Sequence, residues 1–310
     1  MPGNPPSAEI DCHGGVVAVQ RVLESFVRRG ARAVPAEASL DSAARSQIAT
    51  EAARALIQAT TPLGVEILLD QLDGALERAL DASAQDDATG FSHSLRQLLA
   101  TERLGRALWQ PRTVALIGPT NAGKSTLFNG LAREDRMIVS PIPGTTRDAV
   151  SAEVAIGGLP VWLTDTAGER VPGSEIEAEA IARGRQAAAA ADLALLVADG
   201  SVDAAPSLAA LLSPPPPRLV VLNKADLGLA PWTEAHPEAI RISAERGDGL
   251  EMLCERIVVA LVGEASYKPG RPVVFAERQA ASLRRAEQAA SSGAIGLARD
   301  IITGLLLRTS

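Results

Sequence analysis

Aromatic residues, cysteines and histidines are scarce in this sequence of 310 residues. Aromatic residues make up 3% and apolar residues 46%, so a hydrophobic core has to be built from Ala, Leu, Val and Ile. The two cysteines, Cys12 and Cys254, are too few for a disulfide framework and indicate a reducing compartment. The three histidines show no spacing with cysteine that is typical of a zinc site.

Long apolar runs are also missing. The best candidate, QAAAAADLALLVA, is interrupted by Asp192 and falls short of the roughly 20 residues that a membrane span requires. The first residues, MPGNPPSAE, lack the charged and apolar regions of a signal peptide, so we expect no membrane association and a cytoplasmic location. The net charge of −7 disfavours a broad, sequence-independent grip on nucleic acid, which needs a basic surface.

Residue patterns divide the chain into three zones, 1–111, 112–263 and 264–310. The middle zone alternates short apolar runs with helical stretches, which is typical of an α/β fold with a mostly parallel sheet. The turn IGGLP, at 156–160, predicts a hairpin and therefore one antiparallel edge. The third zone is a helical pair with too little core to fold alone, so we expect it to pack on the helical first zone. The sheet domain is then inserted in one all-helical domain.

Three helical patterns lie in the first zone. Apolar residues from Val16 to Val27 predict an amphipathic helix that Gly30 ends. The segment FSHSLRQLLATERLGRAL predicts one helix that closes before Pro111. Between them, apolar residues three and four apart predict a single further helix, and its stripe consists of Val65, Leu68, Leu69, Leu72, Leu76 and Leu80.

A glycine-rich segment, GPTNAGKS at 118–125, lies between an apolar run and a helix-like stretch. This pattern predicts a phosphate-binding loop, because small residues let successive backbone N–H groups face one anion and the helix N-terminus adds partial positive charge. We expect Lys124 to reach the β- and γ-phosphates and the Ser125 hydroxyl to ligate Mg²⁺. The predicted nucleotide contacts in this loop are Asn121, Ala122, Gly123, Lys124, Ser125 and Thr126.

The segment LTDTAG, at 163–168, ends a predicted strand with a carboxylate. Asp165 is expected to hold Mg²⁺ through water, and the Gly168 N–H to touch the γ-phosphate. Taken alone, the segment also fits an ordinary exit from a strand into a turn. Between the glycine-rich loop and this segment, SPIPGTTRD contains Pro and Gly, which disfavour regular structure and suit a switch. Its Thr146 is expected to give the second hydroxyl on Mg²⁺ while γ-phosphate is present.

Two later segments predict recognition of the base. In NKAD, at 223–226, the Asp226 carboxylate can accept hydrogen bonds from N1–H and the exocyclic amine of guanine, a pair of donors that adenine lacks. Asn223 is expected to brace the loops, and the stem of Lys224 to cover the base. In ISAE, Ser243 and Ala244 follow the last strand, and the Ala244 N–H is expected at guanine O6. The predicted ligand is therefore GTP or GDP with Mg²⁺.

Taken together, these motifs resemble the GTPases of translation-factor type, and most closely the tRNA-modification GTPases called TrmE or MnmE. The resemblance continues outside the sheet domain. AEIDCHGGVVAVQRVLESFVRRGAR is similar to the end of that family's N-terminal domain, LLDQLDGALERAL to its central helical domain, and ERQAASL to the return into it. It implies a P-loop GTPase domain inserted in a helical domain, and GTP hydrolysis.

The resemblance also implies roles for single residues. An Asn at the place of Asn121 helps to bind a catalytic K⁺ in that family, although a simple turn-forming role stays open here. Glu177 aligns with the glutamate that orients the attacking water, although a charge favoured by the helix dipole in a first turn is the alternative. Lys124, Thr146 and Glu177 are then the expected catalytic residues.

Partners follow from the same resemblance, which implies tRNA wobble-uridine modification with a flavoprotein partner and a G-domain homodimer. Two departures weigh against modification. Most of the family's N-terminal folate-binding domain has no counterpart, and its Cys-x-Gly-Lys tail is replaced by IITGLLLRTS. The second hypothesis is therefore a GTP-dependent interaction module whose output is binding of an RNA or a protein.

Overall fold

The computed structural model describes residues 16–32, 46–134, 150–165, 176–203, 218–263 and 267–307. Contacts divide the chain into two compact units, Met1–Ala44 and Arg45–Ser310. The first unit contains helix α1, Val16–Val27. Gly30 follows it with a φ of +91°, a conformation that glycine adopts without strain, so the predicted helix and its end are confirmed.

Ten further α-helices are described in the second unit. The first five precede the sheet, the next three alternate with strands, and the last two close the chain. They are α2 (Gln47–Gln58), α3 (Pro62–Leu72), α4 (Ala75–Gln85), α5 (Ala88–Leu99), α6 (Glu102–Ala107), α7 (Lys124–Glu134), α8 (Ile176–Ala190), α9 (Leu250–Val262), α10 (Glu277–Ser291) and α11 (Ile295–Leu306). None of the helices in these described ranges combines the length and hydropathy of a membrane span.

Two helices of the first zone are interrupted where the sequence predicted continuous ones. The apolar stripe is split at Gly74, whose φ of +91° ends α3 and begins α4, and Leu69 of this stripe is exposed. The second predicted helix is split at Thr101, because its hydroxyl donates to Leu98 O and accepts from the backbone N–H of Val274. Both predictions of a single helix were therefore wrong. A left-handed glycine ends the helix at Gly74, and a contact with Val274 outside the predicted helix accompanies the break at Thr101.

Six strands form one mixed sheet in the order β2-β3-β1-β4-β5-β6. All pairs are parallel except β2 with β3, which form the predicted antiparallel hairpin with Gly157 and Gly158 at its turn. The parallel strands bring their carboxyl ends to one edge, where ligands of such sheets bind. The strands are β1 (Arg112–Ile117), β2 (Val150–Ile156), β3 (Leu159–Asp165), β4 (Leu193–Asp199), β5 (Arg218–Asn223) and β6 (Ile240–Arg241).

The sheet is buried on both faces. Along β4, Leu193, Leu195 and Val197 join the larger apolar cluster, whereas Leu196 and its alanine neighbours join a smaller cluster on the other face. This alternation follows from the two-residue period of a strand. With few aromatic residues available, small and branched apolar side chains fill both layers, as the composition predicted.

The late helices pack with the early ones. Leu283 of α10 and Ile302 of α11 share one buried cluster with Ile48 of α2 and Leu95 of α5. Gln71 is fully buried and joins the segment before α10 to α3, since its amide donates to Arg271 O and accepts from the Val273 N–H. The expected packing of the third zone on the first is therefore present, while the domain boundaries themselves stay a prediction.

Candidate nucleotide-binding site

The glycine-rich loop connects β1 to α7 at the carboxyl edge of the sheet. Two positions of this loop, Gly118 and Gly123, must be glycine because neighbouring strands lie close to them. A Cβ on Gly118 would lie 2.0 Å from the Val197 carbonyl oxygen, and one on Gly123 would lie 2.2 Å from Asn223 Nδ2. Both glycines also have positive φ angles, +146° and +86°. The loop therefore approaches β4 and β5 more closely than any side chain permits.

Asn121 lies at the tip of this loop with an exposed side chain. Its φ of +62° is left-handed, a conformation that asparagine tolerates better than most residues. The following Ala122 is 1% exposed and packs into the core. The turn-forming role of Asn121 is thus visible in the backbone, and the role in K⁺ binding stays a prediction.

The ammonium of Lys124 lies inside the loop. Nζ donates to the carbonyl oxygens of Gly118, at 2.9 Å, and Pro119, at 2.7 Å, and the residue is 6% exposed. Burial lowers the pKa of this ammonium below its ordinary value, and the negative charge of Asp165 opposes that effect. An anion bound in the loop would stabilise the charged form of Lys124, which burial disfavours.

Ser125 and Asp165 are in direct contact beside this lysine. The Ser125 hydroxyl donates to Asp165 Oδ2 at 2.7 Å, and Asp165 is 4% exposed. Ser125 is the second residue of α7 and Asp165 ends β3, so the sheet edge brings together the two oxygen ligands that the sequence predicted for Mg²⁺. Hydroxyl and carboxylate oxygens are ligands that this hard cation prefers.

Asn223 connects three segments of the site. Its Nδ2 donates to Ala122 O at 2.9 Å, and its Oδ1 accepts from the Ala244 N–H at 2.9 Å. The side chain is 2% exposed, so both bonds are shielded from water. The predicted bracing role therefore has a defined geometry. The Ala244 N–H, predicted at guanine O6, is engaged by Asn223, and its contact with a base stays a prediction.

Lys224 has a partner that sequence reasoning missed. Its Nζ donates to Asp199 Oδ2 at 2.6 Å, and its backbone is left-handed with a φ of +62°. Asp199 Oδ1 accepts from the backbone and hydroxyl of Ser201. Burial tends to raise the pKa of the Asp199 carboxyl, but these hydrogen bonds lower it below its ordinary value. The available signal was an Asp at the end of the apolar run LALLVA, as Asp165 ends β3.

Asp226 lies in the short 3-10 turn Ala225–Leu227, and its side chain is 12% exposed. Its Oδ2 lies 3.3 Å from Nε of Arg246, a second residue that sequence reasoning missed. No sequence pattern indicated this pair. Ser243 is 1% exposed and its hydroxyl accepts from the Arg246 N–H, so it shapes the turn after β6.

Of the remaining predicted residues, two lie in described helices and two lie outside the described part of the chain. Thr126 is exposed on the first turn of α7. Glu177 is the second residue of α8, in the first turn as expected, and its side chain is not among those described. Thr146 and Gly168 lie outside the described residues. The structure thus joins the loop, Asp165 and the two base segments, and leaves the predicted switch contacts untested.

Several known proteins and one family model are similar to this chain. A family model described as 50S ribosome-binding GTPase matches residues 113–224. The tRNA modification GTPase MnmE of Synechococcus sp. (strain CC9605) is 35% identical over 317 residues, which cover 91% of this chain and 70% of that protein. The protein of the same name from Chloroflexus aurantiacus (strain ATCC 29366 / DSM 635 / J-10-fl) is also 35% identical, over 96% of this chain and 74% of that protein.

Solved structures that are similar to part of this chain include a G domain. The G domain of the T. maritima FeoB iron transporter is 26% identical and covers 49% of this chain and 99% of that chain, with a TM-score of 0.36.

Proposed function

Because the chain belongs to the MnmE family of tRNA modification GTPases and is therefore a GTP-hydrolysing enzyme, we propose that it hydrolyses GTP at the site around Asn223, with Mg²⁺ and with stimulation by K⁺. The observation that carries this proposal is that three segments of the site meet at the side chain of Asn223. Asn223 joins the phosphate loop, the end of β5 and the turn after β6 through two bonds of 2.9 Å. The segments that the proposal assigns to phosphate and to base, which are distant in sequence, thus meet at one side chain.

The phosphate end of the proposed site depends on the loop. Backbone N–H groups at the start of α7 face the phosphates, and the helix N-terminus favours their negative charge. Lys124 then exchanges its two carbonyl partners for phosphate oxygens, while Gly118 and Gly123 keep the loop against the sheet. Because the loop backbone is fixed before GTP arrives, its N–H groups stabilise charge that develops in the transition state without reorganising.

Cation binding in the proposal depends on oxygen ligands of this chain. Ser125 holds Mg²⁺ directly and Asp165 holds it through water, which fits their contact of 2.7 Å. Bound Mg²⁺ supplies positive charge beside the β- and γ-phosphates. The exposed amide of Asn121 offers an oxygen for K⁺ at the tip of the loop. Thr146, Gly168 and Glu177 complete the proposed site through the family resemblance, with Glu177 orienting the attacking water.

The base end depends on Asp226. In the proposal its two oxygens accept from N1–H and the exocyclic amine of guanine, and Lys224, held by Asp199, covers the ring. Asp226→Asn tests this assignment. Xanthine carries a carbonyl in place of the amine, so the variant should lose GDP affinity by about 10²-fold or more and gain affinity for xanthosine diphosphate. Asp81→Asn, an exposed position on α4, is the matched control, and an unchanged base preference in Asp226→Asn would exclude the assignment.

The catalytic assignments need a second experiment. GTP hydrolysis measured in KCl and in NaCl at equal ionic strength should be faster in KCl, and equal rates would remove the K⁺ role of Asn121. Glu177→Ala should slow turnover by about 10²-fold while GTP affinity stays near that of the wild type. A variant that loses affinity but not turnover contradicts a water-orienting role.

The proposal extends to tRNA modification, which is what the relatives are named for. The chain covers 70% of the first of these relatives, so a share of their length has no counterpart in it. Action on wobble uridine with a flavoprotein partner, a G-domain homodimer and a cytoplasmic location belong to the same proposal. Binding of tRNA to the purified chain in the GTP and GDP states, measured by gel shift, tests the first part.

A further inference from the structure

Arg246 contacts the carboxylate that the proposed function assigns to the base. Nε of Arg246 lies 3.3 Å from Asp226 Oδ2. The two side chains differ in exposure, because 63% of the arginine side chain and 12% of the aspartate side chain is accessible. The arginine therefore approaches a shielded carboxylate from the solvent side.

The backbone of Arg246 is fixed by a closed turn. Its N–H donates to the Ser243 hydroxyl at 3.3 Å, and the next N–H, of Gly247, donates to Ser243 O at 2.8 Å. The Ser243 N–H in turn donates to Asp248 O at 2.9 Å. This turn is joined to the Asp226 segment through the Ala225 N–H, which donates to Ile242 O at 3.0 Å. The backbone of Arg246 is thus held next to the segment that carries Asp226.

The carboxylate has room for the arginine and a base at once. An ionised carboxylate offers about four lone-pair sites on its two oxygens. Guanine uses one site on each oxygen, and Arg246 uses one on Oδ2. A carboxylate held on one side by a charged donor keeps its plane, whereas an unheld one rotates about its terminal bond.

We infer that Arg246 is a positioning residue for guanine recognition: it fixes the plane of the Asp226 carboxylate so that both oxygens meet the N1–H and amine edge of the base. This inference rests on the proposed function, because it assumes that Asp226 binds guanine. It adds a determinant of base specificity that lies outside the four residues of NKAD.

The test compares two diphosphates that differ only in the exocyclic amine. Inosine diphosphate keeps N1–H and O6 and lacks that amine, so the ratio of its Kd to the Kd of GDP reports how well the carboxylate meets the amine. In Arg246→Ala we expect the Kd of GDP to rise about fivefold and that of inosine diphosphate by less than about twofold, as measured by calorimetry. Arg241→Ala, which removes an exposed arginine from β6, should leave both Kd values unchanged.

A double-mutant cycle isolates the contact. In an Asp226→Asn background, Arg246→Ala should change the Kd of xanthosine diphosphate by less than about twofold, because the charged partner is gone. The inference is overturned if Arg246→Ala leaves the ratio of the two Kd values unchanged, tightens GDP binding, or has the same effect in both backgrounds.

Failure of the inference can be told apart from failure of the proposed function. If the wild type binds neither diphosphate, or binds both equally, the assignment of Asp226 to guanine fails and the arginine has nothing to position. If the wild type prefers GDP and Arg246→Ala keeps that preference, only the role of Arg246 fails.

Discussion

Replacing Asn223 with alanine removes two buried hydrogen bonds at once. The side chain is 2% exposed, and its bonds to Ala122 O and the Ala244 N–H are both 2.9 Å long. Ala122 and Ala244 are themselves 1% and 8% exposed, so water reaches the abandoned carbonyl and N–H poorly. Each buried group that loses its partner costs about 1–3 kcal/mol.

The expected loss in the free energy of unfolding is therefore about 2–4 kcal/mol, after some relaxation around the small cavity. For a unit of this size, that loss corresponds to a fall in Tm of roughly 4–12 °C. Because the phosphate loop also loses its connection to β5, we expect GDP affinity to fall about tenfold or more.

Thermal unfolding followed by circular dichroism and calorimetric titration with GDP measure the two effects. Asn223→Asp keeps an acceptor for the Ala244 N–H but places a second acceptor against Ala122 O, so it should also be destabilised. Asn129→Ala, at an exposed position on α7, is the matched control and should be neutral or slightly stabilising. If Asn223→Ala melts like the wild type and binds GDP equally well, the bracing role is refuted.

Three further predictions concern other parts of the chain. Gly105→Ala should lower the free energy of unfolding in urea by about 1–3 kcal/mol, because its Cβ would lie 2.1 Å from the Val274 carbonyl oxygen. Gly304→Ala, which has open space on α11, should raise that free energy, and equal effects of the two variants would contradict the close contact at Gly105. Ser125→Ala should lose most of the gain in GDP affinity that Mg²⁺ provides over EDTA, and Ser125→Thr should keep it; retention in both variants excludes the hydroxyl as a ligand. The pKa of Asp199 is lowered in the folded state, so its stabilisation is present above the unfolded pKa and is lost as the pH falls below about 4. Asp199→Asn should flatten that part of the stability curve against pH, and an unchanged acid limb argues against the pair with Lys224.

Much of the fold follows from local pattern. The run LALLVAD becomes β4, and its alternating burial on two faces reflects only the geometry of a strand. Gly157 and Gly158 form the turn that pairs β2 with β3 in antiparallel orientation, and both have the positive φ angles that such a turn requires. Local pattern failed at Thr101, because the break there depends on a contact with Val274, which is distant in sequence. It failed at Gly74 because the apolar stripe continues through a glycine whose left-handed conformation ends the helix.

The sequence by itself determined the order of the phosphate loop, the carboxylate after β3 and the base segments, because glycine spacing and strand ends are properties of neighbouring residues. Only the tertiary structure decided that Asn223 joins these segments, that Lys224 is held by Asp199, and that Arg246 meets Asp226. Such contacts depend on which strands become neighbours in the sheet, and the order β3-β1-β4-β5-β6 is set by packing over the whole unit.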